Sequence, residues 1–163
     1  LYKNTGQMKG IVTWIGIRDL KSKKIIPTGE VNAIKGKGLE GDKIFLKSSQ
    51  KRQVTLIMSE NINRLKKNHC SLLGNDKLHY VENYLKRNII TQNIALESLI
   101  GINFRVGSAI FIGTGNCKPC KKIISYFGKA FFNDMCDKGG ITANVVETGL
   151  ISINSKIEVI NNE

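Results

Sequence analysis

Two cysteines separated by a lysine and a proline, Cys117-Lys118-Pro119-Cys120, are the residues of this sequence best suited to chemistry. Thiols at this spacing form redox couples, bind metals, or act as nucleophiles once one of them is deprotonated. Two buried cysteines can also serve simply as small apolar side chains. The spacing alone does not separate these alternatives, so the surroundings of the turn must be considered.

The turn is predicted to lie where a strand ends and a helix begins. An apolar strand over residues 108–113 precedes it, and residues 121–132 are predicted to be helical. Pro119 suits the first position of a helix, where its missing N–H costs nothing, so we expect Cys120 in the first turn. Backbone donors at a helix start, together with nearby lysines, favour the nucleophilic thiolate. These lysines are Lys118, Lys121 and Lys122.

Zinc is the obvious ligand of a C-x-x-C pair, which supplies half of a tetrahedral site. The remaining candidates, His69-Cys70 and Cys136, are isolated, and the sequence has no second C-x-x-C or H-x-x-x-H pair. We therefore expect no structural zinc. His69 and His79 lie in a polar, weakly periodic stretch of predicted helix and loop, residues 66–86, and are expected to face solvent rather than to act as general bases.

Cationic residues precede two of the predicted strands. Lys51-Arg52 comes before the apolar segment 53–58, and Lys86-Arg87-Asn88 comes before Ile89-Ile90-Thr91. Such groups can hold a phosphate or a carboxylate. Ordinary solvated charges would give the same pattern, so both interpretations stay open.

Two glycine-containing segments indicate unusual backbone angles or a close approach to a ligand. The first has three glycines between Gly36 and Gly41 and is followed by Asp42-Lys43; the second is Asp137-Lys138-Gly139-Gly140. The first segment lacks the Gly-Lys-Ser/Thr ending of a nucleotide-binding P-loop. Nucleotide binding through a P-loop is therefore not indicated.

Short strands dominate the predicted secondary structure, with a few short helices and no regular strand-helix alternation. This pattern favours a mainly β fold with short helices (α+β), a closed or nearly closed β-barrel, over a doubly wound sheet. A helix is predicted to follow Ser59 as its N-cap, and another short one covers residues 96–100. Strands are predicted over residues 9–17, 31–34, 53–58, 88–96, 105–113, 140–147, 150–153 and 156–160.

Length and composition favour one domain. We predict that residues 8–163 form it and that residues 1–7 are a tag or a disordered linker. No apolar run approaches the ~20 residues of a transmembrane helix and no signal-peptide pattern is present, so we predict a cytoplasmic protein without a membrane partner.

The sequence is strongly basic, with a formal net charge of +12. Such an excess favours anionic partners such as nucleic acid, phosphorylated small molecules or an acidic protein, although a lysine-rich proteome would produce the same excess. Aromatic residues make up only 7% and are not interleaved with the basic residues. Binding of single-stranded nucleic acid is therefore not specifically indicated.

Five short motifs follow one another along the chain: Gly38-Leu39-Glu40-Gly41-Asp42, Arg52-Gln53-Val54-Thr55-Leu56-Ile57, Arg87-Asn88-Ile89-Ile90-Thr91, Thr114-Gly115-Asn116-Cys117-Lys118-Pro119-Cys120 and Lys138-Gly139-Gly140-Ile141. Together they resemble the MOSC family, the domain related to the C-terminal part of molybdenum cofactor sulfurases. The resemblance runs from about Lys9 to Ile160. The ordered set is far more specific than any one motif.

The resemblance implies a β-barrel like the one inserted in pyruvate kinase, surrounded by helices. It also implies that Cys120, the second cysteine of the turn, handles a sulfur atom or ligates molybdenum, with Cys117 as a supporting or resolving thiol. An anionic molybdenum-pterin cofactor is the implied ligand. The residues expected to bind it are Arg52, Arg87, Asn88, Thr91, Lys43 and Lys118.

The leading functional hypothesis is that Cys120 carries sulfur as a persulfide and delivers it to a molybdenum or other metal-sulfur centre. We expect no pyridoxal-phosphate lysine domain in this chain, so a cysteine desulfurase or another donor must supply the sulfur. The acceptor would be a molybdoenzyme or a cofactor-biosynthesis protein. The alternatives are a molybdenum-pterin-dependent reductase component with Cys120 as metal ligand, and a basic module that binds nucleic acid or another anion without catalysis.

Overall fold

Seven strands close into a β-barrel in the computed structural model of the protein, which describes residues 9–47 and 51–161. Around the barrel the strands follow the order β1, β11, β7, β8, β9, β5 and β6, and β6 pairs again with β1. Strands β5 and β6 pair in parallel, and the other barrel neighbours pair antiparallel. The barrel strands are β1 Lys9–Arg18, β5 Val54–Met58, β6 Ile89–Gln92, β7 Asn103–Val106, β8 Ala109–Asn116, β9 Ile141–Glu147 and β11 Lys156–Val159.

Four further strands lie outside the barrel. One of them extends the barrel sheet beyond the last part of β1, and the other three form a small separate sheet. They are β2 Ile25–Thr28, β3 Glu30–Ile34, β4 Gly38–Leu39 and β10 Gly149–Ser152.

The α-helices pack together on one side of the barrel, against Ile57 of β5 and Ile90 of β6. The α-helices are α1 Ser59–Leu73, α2 Asn75–His79, α3 Val81–Leu85, α4 Lys122–Phe127 and α5 Lys129–Met135, and a 3-10 helix covers Leu96–Leu99. No helix within the described parts of the chain is long and apolar enough to cross a membrane.

Strand β5 is apolar on both faces except at Thr55. Val54 and Leu56 face the barrel interior, whereas Ile57 packs among the helices on the outside. Because successive side chains of a strand point to opposite faces, a strand covered on both faces reads as a continuous apolar run. Inside the barrel, the rings of Phe104 and Phe111 stack with centroids 5.8 Å apart, and both side chains are fully buried.

The mainly β fold and the closed barrel predicted from the sequence are confirmed. The likeness to the pyruvate kinase barrel and the single-domain boundary at residue 8 stay predictions. The predicted tag or linker over residues 1–7 lies outside the described residues.

Three local predictions are wrong at element boundaries. Residues 105–113 are not one strand, because a turn at Gly107-Ser108 separates β7 from β8. The helix predicted over residues 121–132 is interrupted at Gly128, whose φ of 88° is incompatible with a continuous helix. Ser59 is the first residue of α1, and Met58 occupies the N-cap position.

The prediction that His69 faces solvent is also wrong. Its ring is buried on α1, where it packs against Phe131 at 5.1 Å between centroids and lies 3.0 Å from an oxygen of Asp134. Arg64 and Asn68 of the same helix donate to Asp134 as well, at 2.7 and 3.2 Å. This cluster ties α1 to α5. His79 is exposed, as expected, but it ends α2 rather than lying in a loop.

The Asp134 cluster predicts an acid-sensitive contribution to stability. Burial opposes ionisation, but the three hydrogen bonds outweigh it and lower the pKa of Asp134 from 3.8 to about 2. A group with a lowered folded-state pKa contributes stability above its unfolded pKa and loses it as the pH falls. We expect Asp134→Asn to lower the free energy of unfolding by about 1 kcal/mol at neutral pH and to reduce its fall between pH 4 and pH 2.

Urea unfolding at a series of pH values measures this difference, with the exposed Asp137→Asn as the matched control. An unchanged pH dependence in Asp134→Asn would contradict the assignment of this contribution to Asp134.

Candidate functional site

The cysteine turn lies between β8 and α4 and is fixed at both ends by backbone hydrogen bonds. The Cys117 N–H donates to the Gly140 carbonyl at 2.8 Å, and the Cys120 carbonyl accepts from Ile123 at 2.9 Å. Cys117 is buried, whereas Cys120 is exposed. The two thiols therefore lie in different environments, and Cys120 is the one that another molecule can reach.

The predicted position of Cys120 in the first turn of a helix is wrong. Helix α4 begins at Lys122 with Lys121 at its N-cap position, so Pro119 and Cys120 precede it. The missing N–H of Pro119 is therefore not accommodated at the first helical position. The surroundings of the Cys120 thiol are set by neighbouring side chains rather than by the first turn of α4.

The buried side chain of Arg87 binds the backbone of the cysteine turn. It follows Lys86, which ends α3 in the left-handed region at φ 54°, and its side chain is 6% exposed. Its guanidinium donates to the carbonyls of Gly139 at 2.8 Å, Leu85 at 3.0 Å and Cys117 at 3.2 Å, with a longer contact to Lys118 at 3.4 Å. One planar cation thus connects α3, the turn and the loop before β9, which only arginine can do with a single side chain.

The loop before β9 must pass very close to the turn. A Cβ atom at Gly139 would overlap the Cys117 carbonyl oxygen and press on the Arg87 guanidinium. Only glycine fits at position 139, because a residue without a Cβ atom allows the backbone of this loop to approach the backbone of the cysteine turn. This accounts for the first glycine of the Gly139-Gly140 pair before β9.

A buried ion pair supports the opposite wall. The Asp42 carboxylate, 2% exposed, accepts from Nε and Nη2 of Arg18 at 3.0 and 2.9 Å and from the Asn88 amide at 2.9 Å. Burial raises the pKa of Asp42, but the hydrogen bonds and charge of Arg18 outweigh burial and hold that pKa below its ordinary value. Gly41, at φ 84°, allows the preceding loop to turn so that Asp42 points inward.

Between these walls lies a cleft of about 310 Å³ at one end of the barrel, near the end of β1 and β8 and the start of β5 and β6. Both cysteines of the turn line it. Six cationic side chains and no acidic side chain line it among the described residues. The cations are Arg18, Lys43, Arg52, Lys86, Arg87 and Lys122.

The neighbouring positive charges affect the pKa of Lys43. Burial lowers the pKa of its ammonium group, and the nearby charges of Arg18 and Lys86 lower it further. Nε and Nη2 of Arg18 donate to Asp42, whereas Nη1 of Arg18 has no hydrogen-bond partner among the described residues. An anion in the cleft would relieve the repulsion and accept this donor.

The structure brings together part of the predicted site. The predicted residues that line the cleft are Cys117, Cys120, Arg52, Arg87 and Lys43. Asn88 is fully buried behind the wall, where its side-chain oxygen accepts from both the backbone and the hydroxyl of Thr55. The buried Thr91 hydroxyl donates to the Ile57 carbonyl at 3.5 Å, and Lys118 is exposed away from the lining. The cofactor-binding roles of all these residues stay predictions.

Sequence reasoning missed Arg18, Tyr84 and Tyr126 as lining residues. One signal was available for Arg18. A carboxylate placed by a glycine-rich loop next to apolar strands needs a cationic partner, so Asp42 predicted an arginine or lysine without indicating which. The two tyrosines gave no signal, because only the packing of α3 against α4 brings them together.

Comparison with known proteins identifies the family of the chain. The family model of the MOSC domain matches residues 42–158, well over half of the chain. The chain belongs to the MOSC domain family. MOSC domains are associated with molybdenum cofactor binding or sulfur transfer. The comparison with curated proteins gave no match.

Solved structures show the same fold at low sequence identity. The YuaD protein from Bacillus subtilis is 18% identical with a TM-score of 0.77, and the alignment covers 96% of this chain and 98% of that one. YiiM from Escherichia coli is 20% identical with a TM-score of 0.62, covering 96% and 70%. YiiM from Geobacillus stearothermophilus is 12% identical with a TM-score of 0.65, covering 93% and 75%. At these identities the likeness shows the MOSC fold alone.

The contacts of Arg87 predict a large loss of stability when its planar fork is removed. Arg87→Lys keeps one positive charge but cannot reach several carbonyls at once, so buried acceptors lose their donors. We expect the free energy of unfolding to fall by about 2–4 kcal/mol. Urea unfolding followed by circular dichroism measures this. The control is Arg105→Lys at an exposed position on β7, which should change the free energy of unfolding by under about 0.5 kcal/mol. Equal effects in the two variants would contradict a stabilising role for the hydrogen bonds of Arg87 to the backbone carbonyls.

The close approach at Gly139 predicts a strong effect from one methyl group. Gly139→Ala should displace the Cys117 carbonyl, and we expect a loss of about 2 kcal/mol or more in the free energy of unfolding. Gly29→Ala provides the comparison, because a Cβ there meets no atom within 4 Å. Thermal unfolding of both variants decides the matter, and a Gly139→Ala protein as stable as Gly29→Ala would show that the two backbones do not need to be this close.

Proposed function

We propose that this MOSC domain carries sulfur as a persulfide on Cys120 within an anion-binding cleft. The observation that supports the proposal most directly is the position of one exposed thiol, Cys120, in a cleft lined by six cations and by no acidic side chain among the described residues. Such a setting attracts an anionic donor or acceptor to the thiol. The association of MOSC domains with sulfur transfer or molybdenum cofactor binding supports the same proposal.

The proposed transfer needs no external oxidant or reductant. The Cys120 thiolate attacks the outer sulfur of a donor persulfide, the S–S bond of the donor breaks, and the donor leaves as a thiolate. The product is a persulfide on Cys120, with the transferred sulfur at the same oxidation level as before. An acceptor thiolate removes it by the same displacement. A cysteine desulfurase fits the donor role, and a molybdoenzyme or a cofactor-biosynthesis protein fits the acceptor role.

The residues around Cys120 divide into two groups by their contacts. Arg18 and Lys43 carry charge into the cleft, and Arg18 retains a donor there that no described residue accepts. Arg87 lines the same cleft, but its hydrogen bonds go to backbone carbonyls. We therefore propose that Arg18 and Lys43 hold the anion and that Arg87 positions the turn that presents the thiol.

Cys117 has a different proposed role because it is buried. Its thiolate can attack the inner sulfur of a Cys120 persulfide, which forms a Cys117–Cys120 disulfide and releases hydrosulfide. The two electrons that reduce the outgoing sulfur come from the two cysteine sulfurs. Cys117 would thus act as a resolving thiol that limits the lifetime of the persulfide.

The second candidate function is binding of a molybdenum-pterin cofactor. The exposed thiol and the surrounding cations fit a metal with a soft thiolate ligand and a cofactor with a phosphate group. Among the described residues no three His, Cys, Asp or Glu side chains form a metal cluster, so the other ligands would come from the cofactor. When bound, such a cofactor supplies electron transfer to a small substrate. In this role Cys120 holds the metal, and Arg18 and Lys43 hold the anionic groups.

The persulfide proposal predicts that one cysteine carries the transferred sulfur. After incubation with a cysteine desulfurase and free cysteine, mass spectrometry should find an added sulfur of 32 Da on the peptide that contains Cys120, because only this thiol of the pair is exposed. Cys120→Ser should abolish the addition. Cys117→Ser should retain it and increase its amount.

The exposed cysteines outside the cleft provide the controls, since Cys70→Ser and Cys136→Ser should leave the labelling unchanged. Labelling that persists unchanged in Cys120→Ser would overturn the proposal. Metal analysis of protein made in a host that produces the cofactor separates the second function: molybdenum and pterin fluorescence that disappear in Cys120→Ser would favour it, and their absence from the unmodified protein would contradict it.

A further inference from the structure

A second cleft lies beside the cysteine cleft, and the two have four lining residues in common. The second cleft has a volume of about 500 Å³ and is lined by the connection between β1 and β2, by α3 and by α4. The shared residues are Tyr84, Lys86, Lys122 and Tyr126. A molecule seated on these residues in the second cleft therefore lies next to the cleft that contains Cys120.

Helical spacing brings several of these side chains to one surface. Residues four positions apart lie on the same face of an α-helix. Lys122 and Tyr126 are four apart on α4, and Tyr84 on α3 follows its N-cap residue Tyr80 at the same interval. The rings of Tyr84 and Tyr126 meet with 4.6 Å between their centroids. The two helices thus present one joined surface of tyrosines and lysine.

Lysines give the second cleft a positive charge on two of its walls. Lys23 and Lys24 line the wall formed by the connection between β1 and β2. Lys86 and Lys122 line the wall shared with the cysteine cleft. No acidic side chain lines the second cleft in the part of the chain that the structure describes. Positive charges on separate walls fit several carboxylates spread along a chain better than one small anion.

Tyrosine rings provide apolar surface beside these lysines. Tyr80 is 59% exposed and Tyr84 is 39% exposed, so both rings are accessible to a partner. Tyr84 also packs edge-on against Phe127 at 5.4 Å between centroids, which fixes the orientation of its ring. Tyrosine is enriched at protein–protein interfaces because its ring offers a large contact area at a low cost in conformational entropy.

We propose that the second cleft docks an acidic segment of the protein that exchanges sulfur with Cys120. Carboxylates of the segment pair with the lysines of the cleft, and an apolar side chain of the segment packs on Tyr80 and Tyr84. Attraction between the opposite charges speeds the encounter and fixes the orientation of the partner. A protein is favoured over a nucleic acid because the exchange at Cys120 requires a partner thiol. The inference rests on the proposed function for this identity of the partner.

The probe is a rhodamine-labelled peptide of glutamates with a leucine at its centre, titrated with the full chain and followed by fluorescence anisotropy. A matched peptide carries glutamine in place of each glutamate. We expect the glutamate peptide to bind at least about tenfold more tightly at low salt, because it alone pairs with the lysines. Added salt should remove most of this difference, since exposed charges are screened.

Variants on each wall assign the contacts. The pair Lys23→Ala/Lys24→Ala should weaken binding of the glutamate peptide about tenfold. Tyr80→Ala should weaken it about fivefold, whereas Tyr80→Phe keeps the ring and should bind normally. The control pair Lys67→Ala/Lys156→Ala removes the same charge from exposed positions outside both clefts and should also bind normally. Circular dichroism confirms that each variant is folded.

Four results would each overturn the inference. They are a glutamate peptide that binds no more tightly than the glutamine peptide, equal losses in the two lysine pairs, succinate that binds as tightly as the peptide, and a single-stranded DNA decamer that binds more tightly than the peptide. The third result would assign the cleft to small anions, and the fourth would assign it to nucleic acid.

The peptide measurement is independent of the persulfide measurement. Peptide affinity should be unchanged in Cys120→Ser, because the lysines and tyrosines of the second cleft are retained in that variant. Persulfide labelling can therefore fail while the peptide binds as expected, which would contradict the proposed function and leave the acidic docking surface in place. Labelling without selective peptide binding would contradict the docking surface alone.

Discussion

The geometry of the site depends on one buried cation. Arg87 donates to backbone carbonyls from three separate segments, and its burial lowers the pKa of the guanidinium without making deprotonation accessible at neutral pH. Burying a charged group costs free energy unless its donors have hydrogen-bond partners. The carbonyl partners of Arg87 are therefore needed to keep this guanidinium buried. Together with the backbone hydrogen bonds at both ends of the turn, the contact of Arg87 with the Cys117 carbonyl helps to position Cys120.

The buried ion pair between Asp42 and Arg18 contributes to the positive charge of the cleft. Asp42 neutralises Arg18 from inside the wall, where Asn88 and the loop backbone complete its hydrogen bonds. These hydrogen bonds occupy the Asp42 carboxylate inside the wall, whereas the guanidinium of Arg18 lines the cleft. A pair that is neutral as a whole therefore presents only its positive member to a ligand. With Lys43, Lys86 and Lys122 nearby, the cleft concentrates the basic character that the sequence shows only as a total of +12.

The barrel and the helices packed beside it contribute different parts of the two adjoining clefts. The barrel supplies rigid strand ends, and the helices packed beside it supply the tyrosines and lysines of the adjoining wall. The turn that carries Cys120 lies between β8 and α4, and backbone hydrogen bonds at both of its ends hold it in place. The exposed thiol of Cys120 thus lies next to a broader cationic and aromatic surface.

The sequence by itself determined the family and the mainly β barrel, and it indicated the cysteine turn as the candidate site, because the ordered motifs, the short β-branched segments and the C-x-x-C spacing are local properties. It also indicated Arg52 and Arg87 as cations at strand ends that could hold an anion. Only the tertiary structure decided that Arg87 binds backbone, that Asn88 is buried, that His69 contacts Asp134, and that Arg18 and Tyr84 line the cleft. These facts join residues separated by many positions in the chain, and such contacts depend on strand pairing and helix packing, which no local pattern encodes.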